Sequence, residues 1–191
     1  MKNPFWKYAF LTAATMAVGV LLLTVTLHLF GENPFKEYEF MFMPIYFGLL
    51  VWGLFRYRKN VMKGYLEGWR AIGFGLVANF VAIILYCGLL YGFLRTVPEA
   101  LERHQLEVDA YNITLRKVAK EHMEETEKLS TVLLDASETN DRITPAVMAV
   151  DKFFKMGAIG FVIVMVAGLF MMKRKPEVPE NNIPIDSEKG Y

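Results

Sequence analysis

The sequence predicts an all-α membrane protein: four transmembrane helices with an extracytoplasmic helical hairpin between spans three and four. Three observations carry this expectation. Long stretches contain no Asp, Glu, Lys or Arg at all; the basic residues of the short connections fall on one side of a four-fold crossing; and a charged stretch with a heptad stripe separates the last two apolar runs. The chain has 191 residues, of which 54% are hydrophobic and 21% charged. Their segregation, more than their number, sets it apart from a soluble domain.

The first span is expected over about 8–30, "YAFLTAATMAVGVLLLTVTLHLF". A bilayer core needs roughly 20 helical residues, and in hydrocarbon each backbone amide must be satisfied within its own segment, so such a run is a helix. It is longer than the apolar core of a signal peptide, and no Ala-x-Ala-like site precedes "GENPF", so it reads as a retained span. The second span, about 39–56, is built on "FMFMPIYFGLLVWGLF", which is short. Tyr38 and Tyr57 can occupy the headgroup layer at its ends, and Pro44 starts or kinks it. The third span, about 70–94, has charge-free sequence throughout 71–94. The fourth, about 153–172, joins Phe153 and Phe154 to the charge-free run 156–172. Beyond it, the proline-rich segment 173–191 has almost no apolar residues and is expected to be a disordered cytoplasmic tail.

Orientation follows from Lys and Arg in the short flanks. Lys2 and Lys7 precede span one, Arg56, Arg58, Lys59, Lys63 and Arg70 join spans two and three, and Lys173, Arg174 and Lys175 follow span four. All fall on one side. The opposite short loop has Lys36 against Glu32, Glu37 and Glu39. Both termini are therefore expected in the cytoplasm, with 95–152 outside as the hairpin. Trp6, Tyr8, Trp52, Tyr57 and Trp69 fall toward the same basic interface, as an aromatic belt does.

Within the hairpin, Thr96, Pro98 and Glu99 read as N-cap, first-turn proline and capping-box glutamate. Leu101, His104, Val108, Tyr111, Leu115, Val118 and His122 then recur at spacings of three and four. Leu129 and Val132 resume the phase, which makes a narrow heptad seam. "DASETND" is a polar break, and Thr144 with Pro145 starts a return arm that runs without interruption into span four. At about 1.5 Å per residue the seam is far longer than the return arm outside the membrane, so part of it lacks an internal partner. Leu101, Val108, Tyr111, Leu115 and Val118 are the candidate partner-contact residues.

Inside the membrane, Asn79 is the strongly polar residue near mid-span. With Gly75, Ala82, Gly88 and Gly92 it suggests a helix-packing face, with Asn79 bonded to a neighbouring helix. Ala13 with Ala17, and Gly160 with Gly168, could face it. His28 reads as interfacial. No residues recur in the pattern of a metal site, and Cys87 is the single cysteine. His122 and Glu125 share a helix face, but no second His/Glu set completes a di-metal centre. Phosphate-loop, nucleophile-elbow and dinucleotide motifs are absent, so no cofactor is expected. A formal net charge of +1 speaks against a nucleic-acid partner. The basic link at 56–70 suits anionic headgroups, although topology alone accounts for it.

Several short motifs resemble the Domain of Unknown Function 4199 family. They are the Lys-rich start before a long first span, the basic "RYRKN" closing the second, and "YLEGWRAIGFG" entering the third. "LYGFLRTVPEAL" and "ITPAVMAVDKFF" follow in the positions of the outer helix start and the last span. The resemblance covers nearly the whole chain. It implies a small four-span protein of the bacterial inner membrane, and it implies no activity and no catalytic residues.

The leading functional expectation is a non-enzymatic accessory or scaffold protein that binds other membrane proteins, or a second copy, through the extracytoplasmic helix. The alternative is a small transporter or a binding protein for a lipid or apolar solute. No charged residue is expected deep in any of the four spans, which weighs against transport.

Overall fold

The structure is a computed structural model that describes residues 4–35, 39–121 and 143–172, and their side chains except those of 39 and 115–121. The expected tail 173–191, the polar break before residue 142, His122, Glu125, Leu129 and Val132 lie outside the described residues. All regular structure described is helical: α1 (Pro4–Leu29), a 3-10 turn (Glu39–Met41), α2 (Phe42–Asn60), α3 (Gly68–Thr96), α4 (Pro98–Glu121) and α5 (Pro145–Met171).

Three of these, α1, α3 and α5, are long and apolar enough to cross a membrane. α2 falls short of that measure. Its apolar part ends at Phe55, and Arg56, Arg58 and Lys59 occupy its last turns, leaving fewer than the roughly 20 residues a span requires.

α1, α2, α3 and α5 form an up-down-up-down bundle. At one end Phe5 of α1 meets the rings of Tyr57 and Phe74, and Arg58 of α2 donates to the Met171 carbonyl at the end of α5. At the other end His28 of α1 meets Phe93 of α3, and Cys87 of α3 donates to the Ala149 carbonyl of α5. α3 packs most extensively, against α5 on one side and α1 on the other, while α2 closes the ring against α1 and α5. The first end carries Lys7, Arg56, Arg58, Lys59, Lys63 and Arg70, and we call it the basic end; the second is the far end.

Lipid tails are as apolar as leucine, so what joins helices in a bilayer is close packing and polar contact. Both are present. On α1 the buried residues are Ala9, Thr12, Ala13, Met16, Ala17, Val20 and Thr24, a stripe of mostly small side chains at helical spacing. Thr12 and Thr24 return their hydroxyls to the carbonyls of Tyr8 (2.8 Å) and Val20 (3.0 Å), which leaves no unsatisfied polar group on that stripe. Gly53 of α2 lies directly against Thr12, and Gly168 of α5 against Ile72 of α3.

The entry to α4 departs from its sequence reading. Thr96 does not cap it. Thr96 is the last residue of α3, and its hydroxyl returns to the carbonyls of Gly92 (3.1 Å) and Phe93 (2.9 Å). Pro98 is the cause: its missing N–H cannot extend the ladder, and its ring pushes the preceding residue out of the helical region. Val97 accordingly has φ −125° and ψ 74°, so a single non-helical residue separates α3 from α4. At α5 the Thr144 hydroxyl accepts from the Val147 amide (3.3 Å) with Pro145 in the first turn. From there the helix continues to Met171 without a break.

Candidate functional site

The far end is organised by Asn33. "ENPF" follows α1, and Asn before Pro favours a turn in which the side chain stands in for backbone. The Phe35 amide donates to Asn33 Oδ1 (3.0 Å). This Asx-turn holds Asn33, Pro34 and Phe35 buried at the mouth of the bundle. The two amide hydrogens of Asn33 then reach α4. One goes to Glu107 Oε2 at 2.9 Å, the other to His104 Nδ1 at 3.2 Å. An amide nitrogen only donates, so His104 Nδ1 accepts, which places the proton of the neutral ring on Nε2. The His104 ring also meets Phe35 edge-on, centroids 5.6 Å apart. On the same helix Gln105 receives the Ile143 amide (2.9 Å) and donates to Asp109 (3.0 Å).

Beneath Phe35 lies Lys152, 5% exposed. Its ammonium stands 5.6 Å from the Phe35 centroid, a cation over an aromatic face. Lys152, Thr24, Tyr86, Phe35, Phe42 and Met156 help to line a cavity of about 20 Å³, room for roughly one water molecule. The Thr24 and Tyr86 hydroxyls are 3.3 Å apart at its wall. Two further polar atoms near this end, His28 Nδ1 and Arg103 Nη1, are buried without a hydrogen-bond partner among the described residues.

A second polar contact lies within the bundle. The Tyr46 hydroxyl of α2 donates to Asn79 Oδ1 of α3 in a short hydrogen bond. The Asn79 side chain rests against Gly160 of α5. One amide thus joins three helices.

Of the expected packing face, Gly75, Asn79 and Ala82 are buried, and a Cβ on Gly75 would meet Val164 of α5 at 2.7 Å. Gly88 and Gly92 are exposed, with nothing within 4 Å of a Cβ at either. Gly88 is nine positions beyond Asn79, roughly half a revolution round the helix at 3.6 residues per turn, and so looks away from the bundle. Of the expected seam, Leu101 is half-buried against the core and Val108 is half-buried. Tyr111 is 57% exposed. Leu115 and Val118 lie on α4, with side chains outside the described residues. His104 does more than fill the seam, since it fixes the loop after α1.

A family model described as a protein of unknown function (DUF4199) matches residues 7–173. The chain belongs to this family. No curated protein and no solved structure matches it. The matched residues run from the first turn of α1 past the end of α5, so the bundle, α4 and the Asn33 clamp all lie inside the DUF4199 region.

Chemically, the far end can orient and tether. Among the described residues no group of three His, Cys, Asp or Glu side chains gathers where a metal ion could sit. Sequence reasoning missed Asn33, Phe35 and Lys152. The Asn-Pro pair was a visible turn signal, but its partner His104 is 71 positions away. For Lys152 the signal was the Asp151–Lys155 pair (3.0 Å, i,i+4), which sets the solvent side of that turn and leaves Lys152 on the inner side.

Proposed function

We propose that this DUF4199 protein is a non-enzymatic scaffold or accessory subunit of the bacterial inner membrane that binds other membrane proteins through α4. In this reading α2 also crosses the membrane, as the second of four spans, both termini are cytoplasmic and α4 is extracytoplasmic. The gathering of Lys7, Arg56, Arg58, Lys59, Lys63 and Arg70 at one end supports the orientation. α2 lies in the ring beside three helices of spanning length, and its terminal cations can extend their stems to the interface.

One observation carries the scaffold reading: α4 is fastened to the bundle through its first turns, at His104, Gln105 and Glu107, and holds Leu106, Tyr111 and Ile113 outward, each more than half exposed. Three large apolar side chains on a tethered, charged helix are suited to a protein partner. The transporter alternative has less support, because the cavity at the far end admits about one water.

The test is photo-crosslinking from positions 106, 111 and 113 in intact cells, paired with a Leu106→Ser, Tyr111→Ser, Ile113→Ser variant. Specific adducts that disappear in the variant are expected. Identical co-purifying proteins with and without the three substitutions would refute docking through α4. Labelling by a membrane-impermeant maleimide, expected at Leu106→Cys and not at Lys63→Cys in a Cys87→Ala background, checks the orientation separately.

A further inference from the structure

We infer that the outward face of α2 is a binding site for a single anionic phospholipid, with its phosphate between Arg56 and Lys59. The inference rests on the reading that this bundle spans a bilayer. Pro44, Gly48, Trp52, Arg56 and Lys59 are all exposed and follow one another at spacings of four and three, with exposed Phe55 flanking them three residues after Trp52 and four before Lys59, so they form one stripe up the helix. The order along that stripe matches the parts of a phospholipid. Gly48 is open, with nothing within 4 Å of a Cβ there, which leaves a notch beside Pro44 in which an acyl chain can lie. One turn on, Trp52 presents a ring of the amphipathic kind that settles at headgroup depth, with the apolar ring of Phe55 beside it.

The cations come last, and they are pre-positioned. The Arg56 guanidinium stands 4.9 Å from the Trp52 ring and that of Arg58 5.4 Å from Phe55. A stacked guanidinium has already lost much of its rotamer freedom, so little more is lost when it takes a phosphate. Arg58 also donates to the Met171 carbonyl and is thereby committed to the bundle. Arg56 and Lys59 have no ion pair among the described residues, and at i,i+3 their side chains are neighbours. Charge retained only to orient the protein needs neither a ring beneath each arginine nor an apolar notch one turn below. The combination of notch, ring and paired cations points to a lipid rather than to a soluble phosphate, which has no use for the first two.

The test is native mass spectrometry of the full-length protein, titrated with phosphatidylglycerol or with phosphatidylcholine of the same chains. The wild-type protein is expected to retain one phosphatidylglycerol at energies that strip phosphatidylcholine. Each basic side chain near an anionic surface is worth about fivefold, so Arg56→Gln with Lys59→Gln should weaken retention by about 25-fold. Removing the same two charges at the far end, Arg95→Gln with Lys155→Gln, should leave it unchanged. Trp52→Leu keeps every charge and is expected to lower retention severalfold. Gly48→Phe should weaken binding of long-chain phosphatidylglycerol while sparing the dihexanoyl form. Equal retention of the two lipids by wild type, or equal losses in the two charge-deleted variants, overturns the inference. Competition by millimolar inorganic phosphate would overturn it in favour of a soluble anion. A lipid site that persists when the maleimide labelling is reversed would refute the orientation and leave the site standing.

Discussion

Gly160→Ala puts the mid-bundle contact to its sharpest test. Replacing glycine by alanine inside a helix ordinarily stabilises by about 1 kcal/mol. Here the added methyl would fall on Asn79, closer to Oδ1 than atoms can approach and 2.9 Å from Cγ. The amide cannot step aside cheaply, because the Tyr46 hydroxyl holds it. Either α3 and α5 separate, an overpacking cost of about 1–3 kcal/mol, or the amide rotates and gives up an interhelical hydrogen bond worth about 0.6–1.7 kcal/mol in a membrane. Offset by the propensity gain, the expected net change runs from about zero to a loss of about 2 kcal/mol, which places the variant about 0.6–3 kcal/mol below a substitution that collects the propensity gain alone. Gly157→Ala on the same helix is the reference, since nothing lies within 4 Å of its Cβ, and it should be neutral or mildly stabilising. The measurement is reversible unfolding by SDS in mixed micelles, followed by tryptophan fluorescence. In an Asn79→Ala background the penalty at Gly160 should vanish, a non-additivity that a double-mutant cycle isolates. Equal stability of the Gly160→Ala and Gly157→Ala proteins would show that Asn79 does not sit against α5.

Tyr46→Phe should cost about 0.6–1.7 kcal/mol in the same assay; a loss that persists undiminished in the Asn79→Ala background would mean the hydroxyl serves another partner. Asn33→Ala removes both hydrogen bonds to α4, each worth about 1 kcal/mol. Amide exchange in the first turns of α4 should then accelerate by at least tenfold while the middle of α3 keeps its protection; unchanged exchange over 98–108 refutes the clamp. Gly88→Ala, on the open side of α3, should gain up to about 1 kcal/mol, and a destabilised variant would show that something in the membrane packs there.

The helices were legible because their signals are local. A run without charge longer than a bilayer core marks α1 and α3 whatever surrounds it; α5 is marked by the shorter charge-free run 156–172 extended by Phe153 and Phe154, and Thr144 before Pro145 starts it in a hydrogen bond spanning three residues. α2 is harder, because its basic residues serve both as its last turns and as its boundary. Thr96 was misread for a physical reason: a threonine hydroxyl satisfies a carbonyl one turn back as readily as an amide ahead, and Pro98 decides between them. Gly88 and Gly92 show the limit of a spacing motif. Gly-x-x-x-Gly says that two small residues share a face, but the phase relative to Asn79 says which face, and that phase points away from the bundle. The far-end clamp was not legible at all. Asn33 gains its role from His104 and Glu107, and no periodicity links residues so distant in the chain.

The single non-helical residue at Val97 and, further on, the contacts of His104, Gln105 and Glu107 hold α4 at two levels, and two levels fix the direction of a rod. His104 is seven residues from Val97 and Tyr111 fourteen, roughly 10 and 21 Å along the helix. A sideways load applied at Tyr111 therefore reaches Asn33 about doubled, with Val97 as fulcrum. What receives it is the turn after α1, together with the residues that enter α5. Whatever engages the outer part of α4 pulls on Asn33 and on Ile143 at the far end.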